Sequence, residues 1–327
     1  GSRWRWLTHR NTRSTQQVHT QEYIMSSDQP TSITSGIIVI DKPPGPTSHE
    51  VAAWVRDILG INTGQGGTLD PMVSGVLIVM LGRAVKVAEH LLAHEKEYIC
   101  ILRLHGDVPR DRIDEVVSGF CGRIYQRPPR RSAVKRALRI RTIHAIEVLD
   151  VEGRFVLLKV RCEAGTYIRT LCVHIGLALG VRGQMVELRR TFSGGFSEAD
   201  AHTLHELADA KAFADEGDPE PLRKMILPIE RAVADLPSIT LRDTAVDAVC
   251  RGARLAGAGV ISCGRFSKGE TVSFMTESGR FIGLGTARIE SEKCVPGKHG
   301  FVATPKAILM EPGTYARGWT KKSRVNK

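Results

Sequence analysis

The sequence predicts an α+β fold in two domains, and three observations carry that prediction. Strand-like apolar runs and helical spacings follow one another without strict alternation, the pattern of a mixed sheet with helices packed on it. A Gly217-Asp-Pro-Glu-Pro stretch and then Pro228 and Pro237 interrupt that pattern. Beyond Pro237 the glycine density and short strands read as a small β-barrel.

Taken in order, residues 1–24 stand apart from the fold. They hold Arg3, Arg5, Arg10 and Arg13 against one acid, Glu22, and Trp4 and Trp6 follow no period. This stretch reads as a leader or added extension, expected to be disordered, rather than a targeting peptide, with Met25 as the native start. A strand is expected over Gly36–Ile40. A helix capped by Ser48 follows, with Val51, Trp54, Val55, Ile58 and Leu59 facing inward. Further strands are expected near Val76–Met80, Tyr98–Leu104 and Phe155–Arg161. Ile168, Leu171, Cys172, Ile175 and Leu179 fall at helical spacing, so a helix begins near Thr166 and buries that stripe. After the boundary, Thr271–Met275, a turn at Glu277-Ser-Gly-Arg280 and Phe281–Ile289 form a hairpin.

Composition narrows the partners. Among 327 residues, 46 Lys and Arg face 35 Asp and Glu, a formal charge of +11 that favours a polyanion. Eight of those cations (Arg123, Arg127, Arg130, Arg131, Lys135, Arg136, Arg139, Arg141) lie in residues 123–141 with no acid among them. Tyr125 sits between them, and Pro128 and Pro129 stiffen the start. The run is either a solvated charged face or a loop that grips phosphates; density of like charge favours the second. Lys321, Lys322 and Arg324 make a basic tail. Seven scattered cysteines without a Cys-x-x-Cys pair read as reduced core thiols, not disulfides or a zinc site. His90 and His94, four apart, and His202 and His205, three apart, lack a His-Glu-x-x-His pattern and any third ligand visible in the sequence. No metal is expected there. No apolar run reaches transmembrane length.

Two segments carry chemistry. Residues 66–71 read Gly-Gly-Thr-Leu-Asp-Pro, which places the buried-looking carboxylate of Asp70 in a glycine-rich turn. The glycines do not end in Gly-Lys-Ser/Thr, so a phosphate-binding P-loop is excluded. An ordinary Asp-Pro turn is the plain reading. The second segment, Ala164-Gly-Thr-Tyr-Ile-Arg169, puts a guanidinium in the first turn of a helix, where the helix dipole disfavours a cation by about 0.3–1 kcal/mol. Either Arg169 is an exposed surface arginine, or it answers a carboxylate or phosphate. A nucleophilic carboxylate needs such a partner to stay ionised and aimed.

In these segments the chain resembles the TruB/dyskerin family of pseudouridine synthases. Gly36-Ile-Ile-Val-Ile-Asp-Lys42-Pro-Pro-Gly-Pro-Thr-Ser48 is similar to the family's first motif, and Gly-Gly-Thr-Leu-Asp70-Pro to the one holding its catalytic aspartate. Lys96-Glu-Tyr98 resembles the tyrosine motif. Gly122–Gln126 through Lys135 resembles the substrate-gripping loop, Gly165–Arg169 the arginine motif, and Leu188-Arg-Arg190 the motif with the apolar residue beside the base. The resemblance runs from about Gly36 to Trp319. One departure is Gln65, where the family has histidine; an amide can hydrogen-bond but carries no charge.

The resemblance implies a mixed-sheet catalytic domain over residues 25–235, an RNA-binding PUA domain of β-barrel type over 236–319, and a basic tail, 320–327. It implies uridine-to-pseudouridine isomerisation in ribosomal RNA under H/ACA guide RNAs and in the tRNA T arm. Asp70 is then the nucleophile, Tyr98 stacks on the base or moves a proton, and Arg169 holds Asp70 through a bidentate contact. Lys42, Leu188, Gln65, Gln126, Arg130, Arg131, Lys135 and Arg136 are the expected substrate contacts. Neither cofactor nor metal is called for. The implied partners are RNA and three H/ACA proteins: a small zinc-ribbon protein, a glycine/arginine-type protein and a kink-turn-binding ribosomal-type protein. The expected compartment is the cytoplasm. A short tail in place of long lysine-rich extensions points to the archaeal dyskerin-type branch. The alternatives are a stand-alone tRNA enzyme and a catalytically silent RNA scaffold, which would have no need of Asp70, Tyr98 and Arg169 together.

Overall fold

The strand that opens the fold is apolar on both faces, and this places it inside a sheet rather than at an edge. In the computed structural model, which describes residues 35–127, 137–298 and 300–316, β1 (Ser35–Lys42) buries Ile37 through Ile40 completely. The leader, the tail cations Lys321, Lys322 and Arg324, and the loop residues Arg130, Arg131, Lys135 and Arg136 lie outside the described residues.

The first sheet has ten strands: β1, β2 (Thr63–Gln65), β3 (Ser74–Gly82), β4 (Lys96–Leu104), β5 (Gly122–Gln126), β6 (Arg139–Glu152), β7 (Phe155–Cys162), β8 (Gly183–Ser193), β9 (Phe196–Ser197) and β10 (Ala201–His202). Their order is β10-β1-β3-β8-β4-β7-β6-β5, with β2 on β3 and β9 on β8. Pairing is antiparallel except for β1 with β10 and β3 with β8. The parallel β3–β8 contact is short, Ser74 against Arg189 and Gly75 against Arg190. Gly75 has φ +99°, and a Cβ there would stand 2.2 Å from the Arg190 carbonyl oxygen, so only glycine lets these strands meet.

Helix α1 (Ser48–Leu59) buries Val51, Val55 and Leu59 as its spacing predicts, but two expectations fail. Its cap is Thr47, in a reciprocal box with Glu50, while Ser48 is turned into the protein. Trp54 is 44% exposed, off the buried stripe. The described helices continue with α2 (Ala88–Ala93), α3 (Arg110–Ser118), α4 (Ile168–Ala178), α5 (Leu204–Asp215) and α6 (Glu220–Met225). Helix α4 starts two residues later than its spacing suggested and packs Leu171, Cys172 and Ile175 against Cys100 and Leu102 of β4. None of the described helices is long and apolar enough to cross a membrane.

The change of sheet falls at Pro237. Strands β11 (Ser238–Leu241), β12 (Leu255–Ala256), β13 (Val260–Cys263), β14 (Thr271–Met275), β15 (Phe281–Ala287) and β16 (Phe301–Ile308) form a six-stranded sheet in the order β12-β16-β15-β14-β11-β13, with α7 (Asp243–Cys250) packed on its core. The expected hairpin is β14–β15, ending at Ala287. The second sheet is not a separate bead. Phe281, Leu284 and Leu309 share one apolar cluster with Ile37, Val39, Ile78 and Met80 of the first sheet and Leu91 of α2. Lys86 Nζ adds a hydrogen bond to the Ile308 carbonyl at 2.7 Å, and Lys306 pairs with Glu89 at 2.9 Å.

The thiols are all free, as expected, but not all are core: Cys121 is exposed and Cys250 and Cys263 half-buried.

Candidate active site

The Asp70 turn is fixed on both sides by buried groups. Before it, Ser48 Oγ both donates to the Leu69 carbonyl at 3.1 Å and accepts from the Leu69 N–H at 2.7 Å. After it, Lys42 Nζ donates to the carbonyls of Pro71 and Val73, each at 2.8 Å, and of Pro43 at 2.9 Å. The Asp70 carbonyl itself accepts from Val73 N–H at 3.0 Å. On the glycine side, Arg190 Nη2 donates to the Gly67 carbonyl at 2.8 Å, and Gly67 has φ +121°. Gln65 serves the same turn: its amide nitrogen reaches Thr68 Oγ1 at 2.8 Å, and its oxygen accepts from Gly67 N–H at 3.0 Å. The departure from the family's histidine therefore supplies an internal brace.

Arg169 arrives on α4, which joins β7 to β8. Gln126, fully buried in β5, accepts from Tyr167 N–H at 3.0 Å and donates to the Tyr167 carbonyl at 3.1 Å. Tyr167 is the residue that starts α4, so this pair of bonds sets the entry of the helix and aims Arg169, two residues on. Arg169 Nη2 donates to Asp70 Oδ2 at 2.8 Å. The expected pair thus exists, with two corrections. Its contact is a single hydrogen bond rather than a bidentate fork, and Asp70 is 61% exposed, because the glycine turn projects it from the surface instead of burying it. Arg169 is 49% exposed. An ion pair this open contributes about 0–1 kcal/mol to folding, no more than the helix dipole takes back, so its value is in aim.

Tyr98 lies on β4, 8% exposed, directly across from Arg190 on β8. The guanidinium acts electrostatically on the phenol. Burial raises the phenol's pKa, which keeps it protonated at neutral pH, a donor rather than a base. The charge of Asp70 acts on both Tyr98 and Lys42, so these three groups share one field. Lys42 itself is buried and its pKa lowered, by burial first and then by Arg190. Lys96, also buried, is lowered to about 8 for the same two reasons. Leu188 packs half-buried against the β4 core, opposite Cys100.

Arg190 is the residue that sequence reasoning missed. Successive side chains on a strand point to opposite faces. Arg189 turns outward to Asp41 and Glu198, while Arg190 turns inward and ties the Gly67 turn to the Val76 carbonyl of β3, opposite Tyr98 in register. An Arg-Arg pair on a strand signals this split. Gln126 also differs from expectation: both amide atoms are spent on Tyr167, so it positions a helix instead of reaching outward.

The basic run is partly neutralised. Arg141 Nη1 pairs with Glu163 at 3.2 Å, from outside the run. Arg123 and Tyr125 are exposed along the edge strand β5, and Arg127 is exposed just past its end.

Three family models match the chain. One described as the N-terminal domain of TruB family pseudouridylate synthase covers residues 56–168, and one described as the C-terminal domain of tRNA pseudouridylate synthase B covers 169–234. A PUA domain model covers 237–309. A Methanosarcina acetivorans protein named "Probable tRNA pseudouridine synthase B" is 51% identical over 293 residues, 89% of this chain and 87% of its own length. The Methanopyrus kandleri protein of the same name is 47% identical over 306 residues, 93% of this chain and 88% of its own length. Among solved structures, a chain of a Cbf5-Nop10-Gar1 complex superposes with TM-score 0.82 at 48% identity, covering 87% of this chain and 88% of that one. A chain from an H/ACA ribonucleoprotein bound to a substrate RNA containing 2′-deoxyuridine gives 0.81 at 45%, with 87% and 88% covered.

Proposed function

Because the chain belongs to the TruB family of pseudouridylate synthases, we propose that it isomerises uridine to pseudouridine in RNA with Asp70 as the nucleophile. The observation that carries this reading is the Asp70–Arg169 contact, with the buried, protonated Tyr98 within the electrostatic reach of Asp70. Uracil C5 cannot be reached in a stacked duplex, so the target base is flipped out. The exposed Asp70 then meets it, and Oδ1 accepts no hydrogen bond among the described residues, which leaves it free to attack. Asp70 attacks the ribose or the base, the C1′–N1 bond breaks, the uracil turns, and a C1′–C5 bond forms as the carboxylate is released. The C5 proton leaves and N1 gains one, so the reaction is redox-neutral. Tyr98 and Leu188 receive the base, and Lys42, Arg190, Gln65 and Gln126 hold the geometry. Arg130, Arg131, Lys135 and Arg136 grip the RNA backbone.

For substrate and assembly, the H/ACA reading is favoured by the solved structures named above, both of which cover nearly the whole chain. In this reading residues 25–235 catalyse and the PUA domain, 236–319, holds a guide RNA in the cytoplasm. The three H/ACA core proteins are partners, and ribosomal RNA and the tRNA T arm are substrates. The names of the Methanosarcina and Methanopyrus relatives favour the second reading, a stand-alone tRNA enzyme. Incubating the chain with tRNA alone, and with guide RNA, target and the core proteins, separates them. Modification of tRNA alone, with no gain from guide and partners on ribosomal targets, would establish the second reading.

A further inference from the structure

We propose that His90, His94 and Asp235 form a zinc site that fastens helix α2 to the segment entering the second sheet. His90 lies in α2, His94 closes its C-terminus, and Asp235 lies just before β11. The sequence offers no third ligand because Asp235 is 145 positions from His90.

The two imidazoles and the carboxylate are gathered in one cluster. His90 Nε2 is 3.1 Å from Asp235 Oδ1 and 3.1 Å from His94 Nε2, and His94 Nε2 is 3.3 Å from Asp235 Oδ2. Zinc bonds of about 2.0–2.1 Å in a tetrahedron put neighbouring ligand atoms roughly 3.3 Å apart. Each of these spacings is near such an edge, and with one carboxylate oxygen chosen the three ligand atoms lie within 4.8 Å of one another, a set that one zinc ion can gather. Both rings are largely shielded, while Asp235 is 57% exposed, which leaves the fourth corner to a water.

The cluster joins two segments through side chains alone: His90 and His94 stand one helical turn apart, and Asp235 reaches both rings, one carboxylate oxygen to each.

Charge around the site is mixed. Lys96 Nζ, a neighbouring cation, is tied to the carbonyls of Leu92 and His94 at 3.2 and 2.6 Å. Its presence weakens the site without filling it.

The test is titration of the chelator-stripped full chain with Zn²⁺, and with Co²⁺ as a spectroscopic probe. The expected result is one equivalent bound, a visible four-coordinate cobalt band without thiolate charge transfer, and a higher melting temperature with zinc. Asp235→Asn and His90→Gln should each weaken binding at least about tenfold, since even an outer-shell partner counts for that much. Asp235 is exposed, so its variant should keep the metal-free melting temperature and isolate the ligand's effect. No stoichiometric binding by the natural chain would overturn the proposal. So would equal affinity in Asp235→Asn, or a cobalt spectrum of thiolate type that marks cysteine as the ligand.

Discussion

Arg169 Nη2 stands 2.8 Å from Asp70 Oδ2, and 99 positions of sequence separate the two residues. Neither side chain is held there by the other. Asp70 is placed by Ser48 on Leu69 and by Lys42 on Pro71 and Val73; Arg169 is placed by Gln126 on Tyr167. Two independently braced groups can face each other in the open, where an unsupported ion pair would wander.

Asp70→Asn should abolish pseudouridine formation and leave RNA affinity nearly unchanged. The substitution is close to isosteric, keeps the backbone pins and removes only the charge. Isomerisation and binding should be measured side by side; substantial turnover by this variant removes Asp70 from the nucleophile's role.

Arg169→Lys should lower kcat by about tenfold or more while leaving the melting temperature within a degree or two, because the exposed pair contributes at most about 1 kcal/mol to folding. The ammonium keeps the charge but cannot hold the planar geometry from the first turn of α4. If the lysine variant matches the natural chain in kcat, a point charge suffices and the guanidinium's aim is irrelevant.

A stability effect is expected at Lys42. Lys42→Met leaves three carbonyls without their donor, and the buried one, of Val73, costs about 1–3 kcal/mol, part of which relief of the buried charge offsets. Activity should fall further than stability does, since the Asp70 turn loses its downstream pin. Denaturant midpoint and kcat, measured on one preparation, report both.

The helix cap carries a pH dependence. Bonds from the Thr47 backbone and side chain hold the Glu50 carboxyl below its ordinary value of 4.5. A lowered carboxyl stabilises the fold fully above the unfolded value and loses that contribution as pH falls through the folded one. Glu50→Gln should therefore lower stability at pH 7, with a smaller gap in acid below pH 4. Urea titrations at the two pH values check it; a gap that is constant or grows in acid contradicts the cap.

The fold was legible where the physics is local. The apolar run of β1, the stripe of α4 and the β14–β15 hairpin each follow from period and turn chemistry. The site was legible through its motifs, because Asp70, Tyr98 and Arg169 come with distinctive neighbours. What escaped the sequence is long-range. Ser48 looked like a cap because serine is a good one, yet Thr47 takes the cap and frees Ser48 for Leu69. Asp70 looked buried because it sits among glycines and leucine, but a tight turn with both flanks pinned points its side chain outward. Arg190 and Gln126 spend their polar atoms on residues far along the chain, and no local spacing announces such bonds.

The grip on RNA is testable through salt. Neutralising Arg130, Arg131, Lys135 and Arg136 should weaken substrate capture and flatten the dependence of affinity on salt, by about one unit of log–log slope for each phosphate that is no longer neutralised. Arg141→Gln is the matched control, because Arg141 already pairs with Glu163 and should change the slope little. Truncation at Pro237 is a poorer probe of the second sheet's role. It would uncover Ile37, Ile78 and Leu91, which pack on Phe281 and Leu284, and so confound guide binding with loss of folding. Substitutions confined to the basic loop avoid that confusion. A quadruple variant with the natural salt slope would return the run to a solvated face and leave the RNA grip to other residues.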